Sequence, residues 1–357
     1  MKLDQLMDTG FLATMVEEGY VRQQHHPFER LTILNYTAAA QWDRLWNEVT
    51  LQCRGLIVDG EGNVVARPWP KFFNYGEHPE GSFDLNAAAK VTDKMDGSLG
   101  ILYRCESGQL MIATRGSFTS EQATVGSLML LKKYQDFEPQ EGVTYLFEII
   151  YPENRIVVDY QGREELVLLD VLWTDTGLPV NRDRWQWDFG WHGPKVEVMP
   201  AETLGEALAL PPRPNAEGMV VRFVDGTMIK LKQEDYVALH RLVTGLNEKT
   251  VWEHLAAGGT VPELLAPLPE EFHPWVTEVA DELCADRAVI EGEALLTFGE
   301  LQHFAHDRKS FALEAVNEEN PQLLFMLLDG KDIEPATWKL VKPKVTRTLL
   351  TITEDTA

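Results

Sequence analysis

The sequence predicts an α+β fold, with antiparallel sheets over residues 1–240 and an all-helical C-terminal domain over 241–357. Two observations carry this. Hairpin-like strand pairs recur between residues 50 and 232. Beyond Gln233 the strand signals fade, and helical stretches follow, broken by Gly258-Gly259, Pro262, Pro267, Pro269 and Pro274.

The first 45 residues read as helical and irregular, with Leu3, Leu6, Met7, Phe11, Met15 and Val16 at near-helical spacing. Leu56-Ile57-Val58 and Val64-Val65-Ala66 flank a glycine-containing loop and predict a hairpin. Leu99–Arg104 and Leu110–Thr114 flank Glu106-Ser107-Gly108-Gln109 in the same way. Thr119–Tyr134 predicts a helix. Thr144–Tyr151, Arg155–Tyr160 and Leu166–Trp173 predict strands, the last apolar enough to be buried on both faces. Residues 179–215, with Asn181-Arg182-Asp183-Arg184-Trp185 and Pro211-Pro212-Arg213-Pro214, predict a helix or two and a loop. Met219–Phe223 and Thr227–Lys232 flank Val224-Asp225-Gly226 as a further hairpin. Lys230 and Lys232 alternate with Ile229 and Leu231, so both lysines fall on one strand face.

Composition bounds the function. The 357 residues suggest two domains, and 44% hydrophobic content fits a soluble protein with a sizeable core. No apolar run reaches the ~18 residues that span a bilayer, and Met1–Gln5 lacks the apolar core of a signal peptide. Cys53, Cys105 and Cys284 form neither a disulfide framework nor a zinc motif. A reducing, cytoplasmic setting is the simplest expectation. The net charge of -24 argues against a generic nucleic-acid binder, although it leaves room for a local basic cleft. Residues 252–335 hold eighteen acids against four bases and read as solvated helical faces. Lys339, Lys342, Lys344 and Arg347 follow as a short basic segment.

The most informative stretch is Lys94-Met95-Asp96-Gly97-Ser98. Before it come Cys53-Arg54-Gly55-Leu56 and Pro70-Lys71-Phe72-Phe73-Asn74. After it come Thr114-Arg115-Gly116-Ser117, Leu146-Phe147-Glu148-Ile149, Glu217-Gly218-Met219 and Ile229-Lys230-Leu231-Lys232. Alone, Lys94 reads as a surface lysine in a turn. The ordered series of partner motifs weighs against that. A lysine that attacks phosphorus must be partly neutral, so burial and the cations Lys230 and Lys232 are expected to lower its pKa. The same two lysines can neutralise phosphate oxygens. Glu148 and Glu217 can accept ribose hydroxyls or hold water-coordinated Mg2+. Strand alternation alternatively puts Glu148 on a solvated face, and a turn residue is the lesser reading of Glu217. Gly97 allows a close approach to the nucleotide or a sharp turn.

In order and spacing, these motifs resemble the ATP-dependent polynucleotide ligases, and most closely the bacteriophage RNA ligase 1 family. The Cys-Arg-Gly segment, Pro70–Tyr75 and Tyr151–Val158 carry the subfamily likeness, which spans about residues 35–240. The resemblance implies a nucleotidyltransferase (ATP-grasp-like ligase) domain. It also implies three steps: Lys94 takes AMP from ATP, AMP passes to an RNA 5'-phosphate, and a 3'-hydroxyl displaces it. By the same resemblance Arg54, Lys71 and Arg115 hold phosphates. Asp96 and Glu217 orient waters of Mg2+ or Mn2+, and Glu148 binds ribose or metal water. Lys230 and Lys232 stabilise the α-phosphate, and Tyr236 matches a family position. Arg115 stands where a lysine can occur. RNA ends, tRNA among them, are the implied substrate, with an end-healing enzyme as a partner and no membrane.

The rivals are a DNA ligase or capping guanylyltransferase on the same fold, separated by nucleotide choice, and a non-catalytic RNA-end sensor. An intact lysine nucleophile argues against the sensor. His25-His26 and the later histidines lack metal-ligand spacing. Trp185, Trp187 and Trp191 read as packing residues before base-stacking platforms.

Overall fold

The computed structural model describes residues 1–180, 189–268, 272–344 and 346–348. Asn181–Trp185, Trp187 and Pro269, singled out in the sequence, lie outside the described residues. The chain divides into two compact units, one from Met1 to Ala238 and one beginning at Leu239.

In chain order the first unit contains α1 (Thr9–Glu17), β1 (Val21–His25), β2 (Leu31–Tyr36), α2 (Ala38–Trp42), α3 (Glu48–Gln52), β3 (Arg54–Asp59) and β4 (Val64–Ala66). Then come β5 (Phe73–Asn74), β6 (Ala89–Lys94), β7 (Ser98–Arg104), β8 (Leu110–Ala113), α4 (Glu121–Lys133), β9 (Val143–Ile150) and β10 (Glu165–Trp173). Last come α5 (Leu204–Ala209), β11 (Gly218–Phe223) and β12 (Met228–Lys232). Among the described residues the strands form three four-stranded sheets, ordered β1-β2-β3-β4, β10-β9-β7-β8 and β5-β12-β11-β6. All pairs are antiparallel except β12 with β5, which is parallel.

The second sheet is covered on both faces. On one, α4 supplies Met129 and Leu130 to a core with Ile112, Tyr145, Phe147, Ile149 and Trp191. On the other, Ile33 and Ile57 of the first sheet meet Ile101 and Leu146. Two-sided burial explains why Val143–Ile150 and Glu165–Trp173 are nearly unbroken apolar runs. The third sheet packs Val91, Val221, Ile229 and Leu231 against Leu204 and Ala207 of α5. On β12, Ile229 and Leu231 are buried while Lys230 and Lys232 lie on the other face.

Helices account for the second unit. α6 (Glu234–Gly245) crosses the division, and α7 (Glu248–Ala256), α8 (Val261–Leu265) and α9 (His273–Leu301) follow, then α10 (Arg308–Ala315), α11 (Pro321–Leu328) and α12 (Glu334–Leu340). Val251, Val276, Val279, Leu283 and Trp338 make its core. Among the described residues, no helix is long and apolar enough to cross a membrane.

Two expectations need correction. The first 45 residues contain β1 and β2, whose polar Arg22-Gln23-Gln24 hides the strand alternation. Arg155–Tyr160 is not a strand, because its backbone is spent on a side chain described below. The described part of 179–215 holds one helix, α5, which agrees with the expectation of a helix or two and a loop.

Candidate active site

Sheet register builds the centre of the site. Gly218 at the start of β11 pairs with Lys94 at the end of β6 on one side and with Lys232 at the end of β12 on the other. Glu217, one residue earlier, therefore lies between two lysines. Its Oε2 is 2.7 Å from Lys94 Nζ and its Oε1 is 2.9 Å from Lys232 Nζ. Gly218 has φ +148°, and a Cβ there would come within 2.0 Å of the Leu231 carbonyl oxygen. Only glycine permits this three-strand junction.

The β6–β7 connection is held just as closely. The Gly97 N–H donates to Glu148 Oε1 at 2.9 Å, and a Cβ on Gly97 would meet the Ile149 carbonyl oxygen at 2.7 Å. Gly97 thus serves a close approach to β9 of its own fold. Asp96 Oδ2 accepts from the Val157 and Val158 N–H groups at 2.9 Å each, and Tyr236 donates its hydroxyl to Asp96 Oδ1 at 2.7 Å. The Asp96 N–H donates to Tyr160 Oη at 2.7 Å. These bonds take up the backbone that a strand over Arg155–Tyr160 would have needed. They also anchor the residue two places from Lys94.

Charges in this cluster are strongly coupled. Burial pushes the Lys94 amine down, but Glu217 and Glu148 outweigh it and hold the amine above the ordinary lysine value. The expected depression appears instead at Lys230. Burial and the neighbouring Lys94, Arg54, Lys71 and Lys232 push that amine well below its ordinary value. Burial likewise raises Glu148 to about 8, against the pull of Lys94. Burial raises Glu217 as well, but Lys94 and Lys232 outweigh it and leave its carboxyl below the usual range. At neutral pH the arrangement is a charged Lys94–Glu217 pair beside a mostly neutral Glu148.

Next to this cluster opens a cavity of about 650 Å3. Its lining includes Arg44, Arg54, Lys71, Arg115, Lys230 and Lys232, with Glu77 as the one acid among its lining residues. A chain of net charge -24 has gathered six cations here, which makes the cavity a local trap for anions. Tyr36 organises the wall. Arg115 Nη1 donates to its hydroxyl at 2.8 Å and Lys71 Nζ at 3.3 Å. Although burial raises Tyr36, Arg115, Arg54 and Lys71 bring it below the ordinary tyrosine value. The Lys71 ammonium also faces the Tyr36 and Trp46 rings at 5.0 Å each. Lys230 Nζ lies 4.8 Å from the Phe72 ring centre and Arg54 Cζ 5.5 Å from it.

The structure therefore brings Lys94, Asp96, Gly97, Glu148, Glu217, Lys232 and Tyr236 into one cluster. It puts Arg54, Lys71, Arg115, Lys230 and Lys232 around one cavity. Sequence reasoning missed Tyr36, Trp46, Asn74, His78 and Tyr160. Asn74 was quoted only as part of a motif, and the other four carry no spacing signal. As to a metal, both Asp96 oxygens and both Glu217 oxygens already carry partners. No group of three or more metal-ligating side chains is found among the described residues.

A buried lysine–carboxylate cluster beside a basic cavity can bind and polarise phosphate esters. Residues 52–183 match the model of the protein family described as RNA ligase. The chain is 31% identical over 134 residues to a putative RNA ligase of Thermovibrio ammonificans, covering 35% of each chain. It is 25% identical over 184 residues to an RNA ligase of Rhodothermus phage RM378, covering 40% of this chain and 41% of that one. Over 129 residues it is 32% identical to RNA ligase 1 of bacteriophage TS2126, covering 31% of each. The alignments thus span only about a third to two fifths of those relatives. Among solved structures, an archaeal ATP-dependent RNA ligase aligns at 14% identity, covering 77% of this chain and 75% of that one, with a TM-score of 0.46.

Proposed function

We propose that the protein is an ATP-dependent RNA ligase that joins a 5'-phosphate to a 3'-hydroxyl through Lys94-AMP. The observation that carries this reading is the Lys94–Glu217–Lys232 junction opening beside a six-cation cavity, within a segment that matches the RNA ligase family.

In the first step the Lys94 nitrogen bonds the ATP α-phosphorus as the bond to pyrophosphate breaks. Lys94 starts protonated, and Glu217, already in contact, is the group positioned to take the proton. Lys232 and Lys230 neutralise the α-phosphate, while Arg54, Lys71 and Arg115 hold the phosphates that leave. Asp96 keeps the Lys94 turn in place through Val157, Val158 and Tyr236. Glu148 fastens Gly97 and is available to a ribose hydroxyl. Asp96 and Glu217 would hold Mg2+ or Mn2+ through its coordinated waters, and the ion would supply further neutralisation of the ATP phosphates. AMP then moves to the RNA 5'-phosphate, and the 3'-hydroxyl displaces it. The setting is cytoplasmic repair of cleaved RNA, tRNA included, after an end-healing enzyme has prepared the ends.

The test is incubation with labelled ATP and, separately, labelled GTP, followed by denaturing electrophoresis. A covalent band from ATP, lost in Lys94→Ala, is expected. A band from GTP alone moves the protein to the capping class. No band from protein whose intact mass carries no AMP sinks the lysyl-AMP mechanism.

A further inference from the structure

The cavity wall contributed by β5 and the turn after it differs from the cationic wall. Among the described residues, the solvent-shielded polar atoms of the lining without a hydrogen-bond partner include Arg54 Nη1, Asn74 Oδ1 and His78 Nε2. The arginine atom fits a phosphate. The other two ask for different chemistry. Asn74 Nδ2 donates to Glu77 Oε2 at 2.6 Å, and the Asn74 N–H donates to the same oxygen at 2.7 Å. A carboxylate only accepts, so this contact fixes the amide orientation and leaves Oδ1 as an acceptor. A phosphate oxygen cannot satisfy it. A hydroxyl can, and the same hydroxyl class suits His78 Nε2 in either tautomer.

The location says whose hydroxyl it is. Asn74 pairs with Lys230 in the parallel β5–β12 register, so the acceptor stands beside the phosphate-facing strand. In-line displacement adds a constraint. Lys94 enters opposite the departing pyrophosphate. When AMP is transferred, Lys94 departs, so the attacking 5'-phosphate oxygen must come from the side the pyrophosphate left. The RNA 5'-phosphate therefore follows pyrophosphate into the cationic cavity. Its own ribose then lies next to the phosphate, within the same lining. His78 is held in place by the Phe83 ring, 4.9 Å away and edge-on, and by Phe73 at 6.1 Å.

We propose that Asn74 and His78 form a subsite for the ribose 2'-hydroxyl of the 5'-phosphorylated terminal nucleotide, and so select RNA over DNA in that strand. The proposal rests on the ligase reading above. In this step the 5'-phosphate oxygen bonds the adenylyl phosphorus, the Lys94 nitrogen–phosphorus bond breaks, and the amine takes up a proton. The subsite takes no part in that bond exchange. It positions the strand whose phosphate attacks.

The experiment starts from full-length protein already carrying AMP, so that effects on the first step drop out. AMP transfer is measured to a 5'-phosphorylated oligoribonucleotide and to the same strand with one 2'-deoxy residue at its 5' end. The wild type is expected to prefer the ribose strand by about tenfold, the worth of one hydrogen bond to a buried acceptor. His78→Phe and Asn74→Leu are expected to bring that ratio towards one, and His78→Gln to restore part of it. A wild-type ratio of one overturns the proposal. So does a variant that slows both transfers equally and keeps the ratio, since that is a structural effect alone. If Asn74→Leu does not fold, the His78 pair of variants carries the same test. Failure of the wild type to form lysyl-AMP at all refutes the ligase reading, and the subsite falls with it. Lysyl-AMP formation with no ribose preference refutes only the subsite.

Discussion

Glu217→Gln removes one charge and almost no volume, yet two buried or half-buried lysines depend on it. The carboxylate is 3% exposed and contacts Lys94 and Lys232 at 2.7 and 2.9 Å. At an effective dielectric of about 20, a contact of this length corresponds to roughly 6 kcal/mol of Coulomb attraction, much of it offset by desolvation. Removing one partner of a buried pair leaves the other uncompensated, at a cost of about 3–5 kcal/mol. For a unit of this size that corresponds to a Tm about 6–20 °C lower, readable by scanning calorimetry. The second consequence is electrostatic. Without Glu217, burial dominates at Lys94, and its amine becomes more neutral. Lys94 should then be modified faster by a small amine reagent at pH 7, as peptide mass mapping would show. The sign of the pH effect follows too. The Glu217 carboxyl is lowered in the fold, so its stabilisation is present above the ordinary carboxylate value of about 4.5 and is lost as pH falls through the folded value. The variant should lack that acid-side loss. An unchanged Tm together with slower modification of Lys94 would refute the reasoning.

Glu148 has the opposite sign. Its folded value of about 8 lies above the ordinary 4.5, so its stabilisation is complete below about 4.5 and is lost as pH rises through 8. Glu148→Gln mimics the neutral form, and its Tm should fall less between pH 6 and 9 than that of the wild type. Gly218→Ala forces a Cβ against the Leu231 carbonyl. Circular dichroism should show an unfolded or severely destabilised first unit, and a Tm within 2 °C of wild type would contradict this. Tyr36→Phe removes the acceptor shared by Arg115 and Lys71. With hydrogen bonds to charged groups worth about 1.5–3 kcal/mol, the KM for ATP in Lys94 adenylylation should rise roughly tenfold or more. An unchanged KM would mean that Tyr36 does not organise the cavity.

Local signals recovered most strands of the first unit. The three hairpins around Asp59–Asn63, Glu106–Gln109 and Val224–Gly226 were legible because turn chemistry and apolar runs agree there. β1 escaped because its outward residues are polar throughout, and β5 because two residues carry no period. β6, which ends at Lys94, escaped for a similar reason: Ala89-Lys90-Val91-Thr92-Asp93-Lys94 has little apolar content, and its place is decided by pairing with β11. The site was legible as a set of residue types in order. Its electrostatics were not. Lys94 was expected to be depressed and Lys230 to do the depressing. The fold reverses this, because Glu217 contacts Lys94 and Lys232 while Lys230 faces Phe72 among cations. Tyr160 enters through a long-range contact with Asp96 that no spacing announces, and His78 through ring contacts with Phe73 and Phe83.

The junction of Lys94, Gly218 and Lys232 makes the site behave as a digital device. Three neighbouring strands each contribute one functional position at a shared level of the sheet. A slip of one residue in either pairing would turn Glu217 or a lysine to the opposite face, since side chains alternate. There is no half-correct register in which the chemistry runs at reduced strength. Added residues can therefore be absorbed at the exposed Val224–Gly226 turn, where strand pairing has already ended. A single residue added within β6, β11 or β12 would erase the site outright. Length variation in this region should sort cleanly into silent and null, with little between.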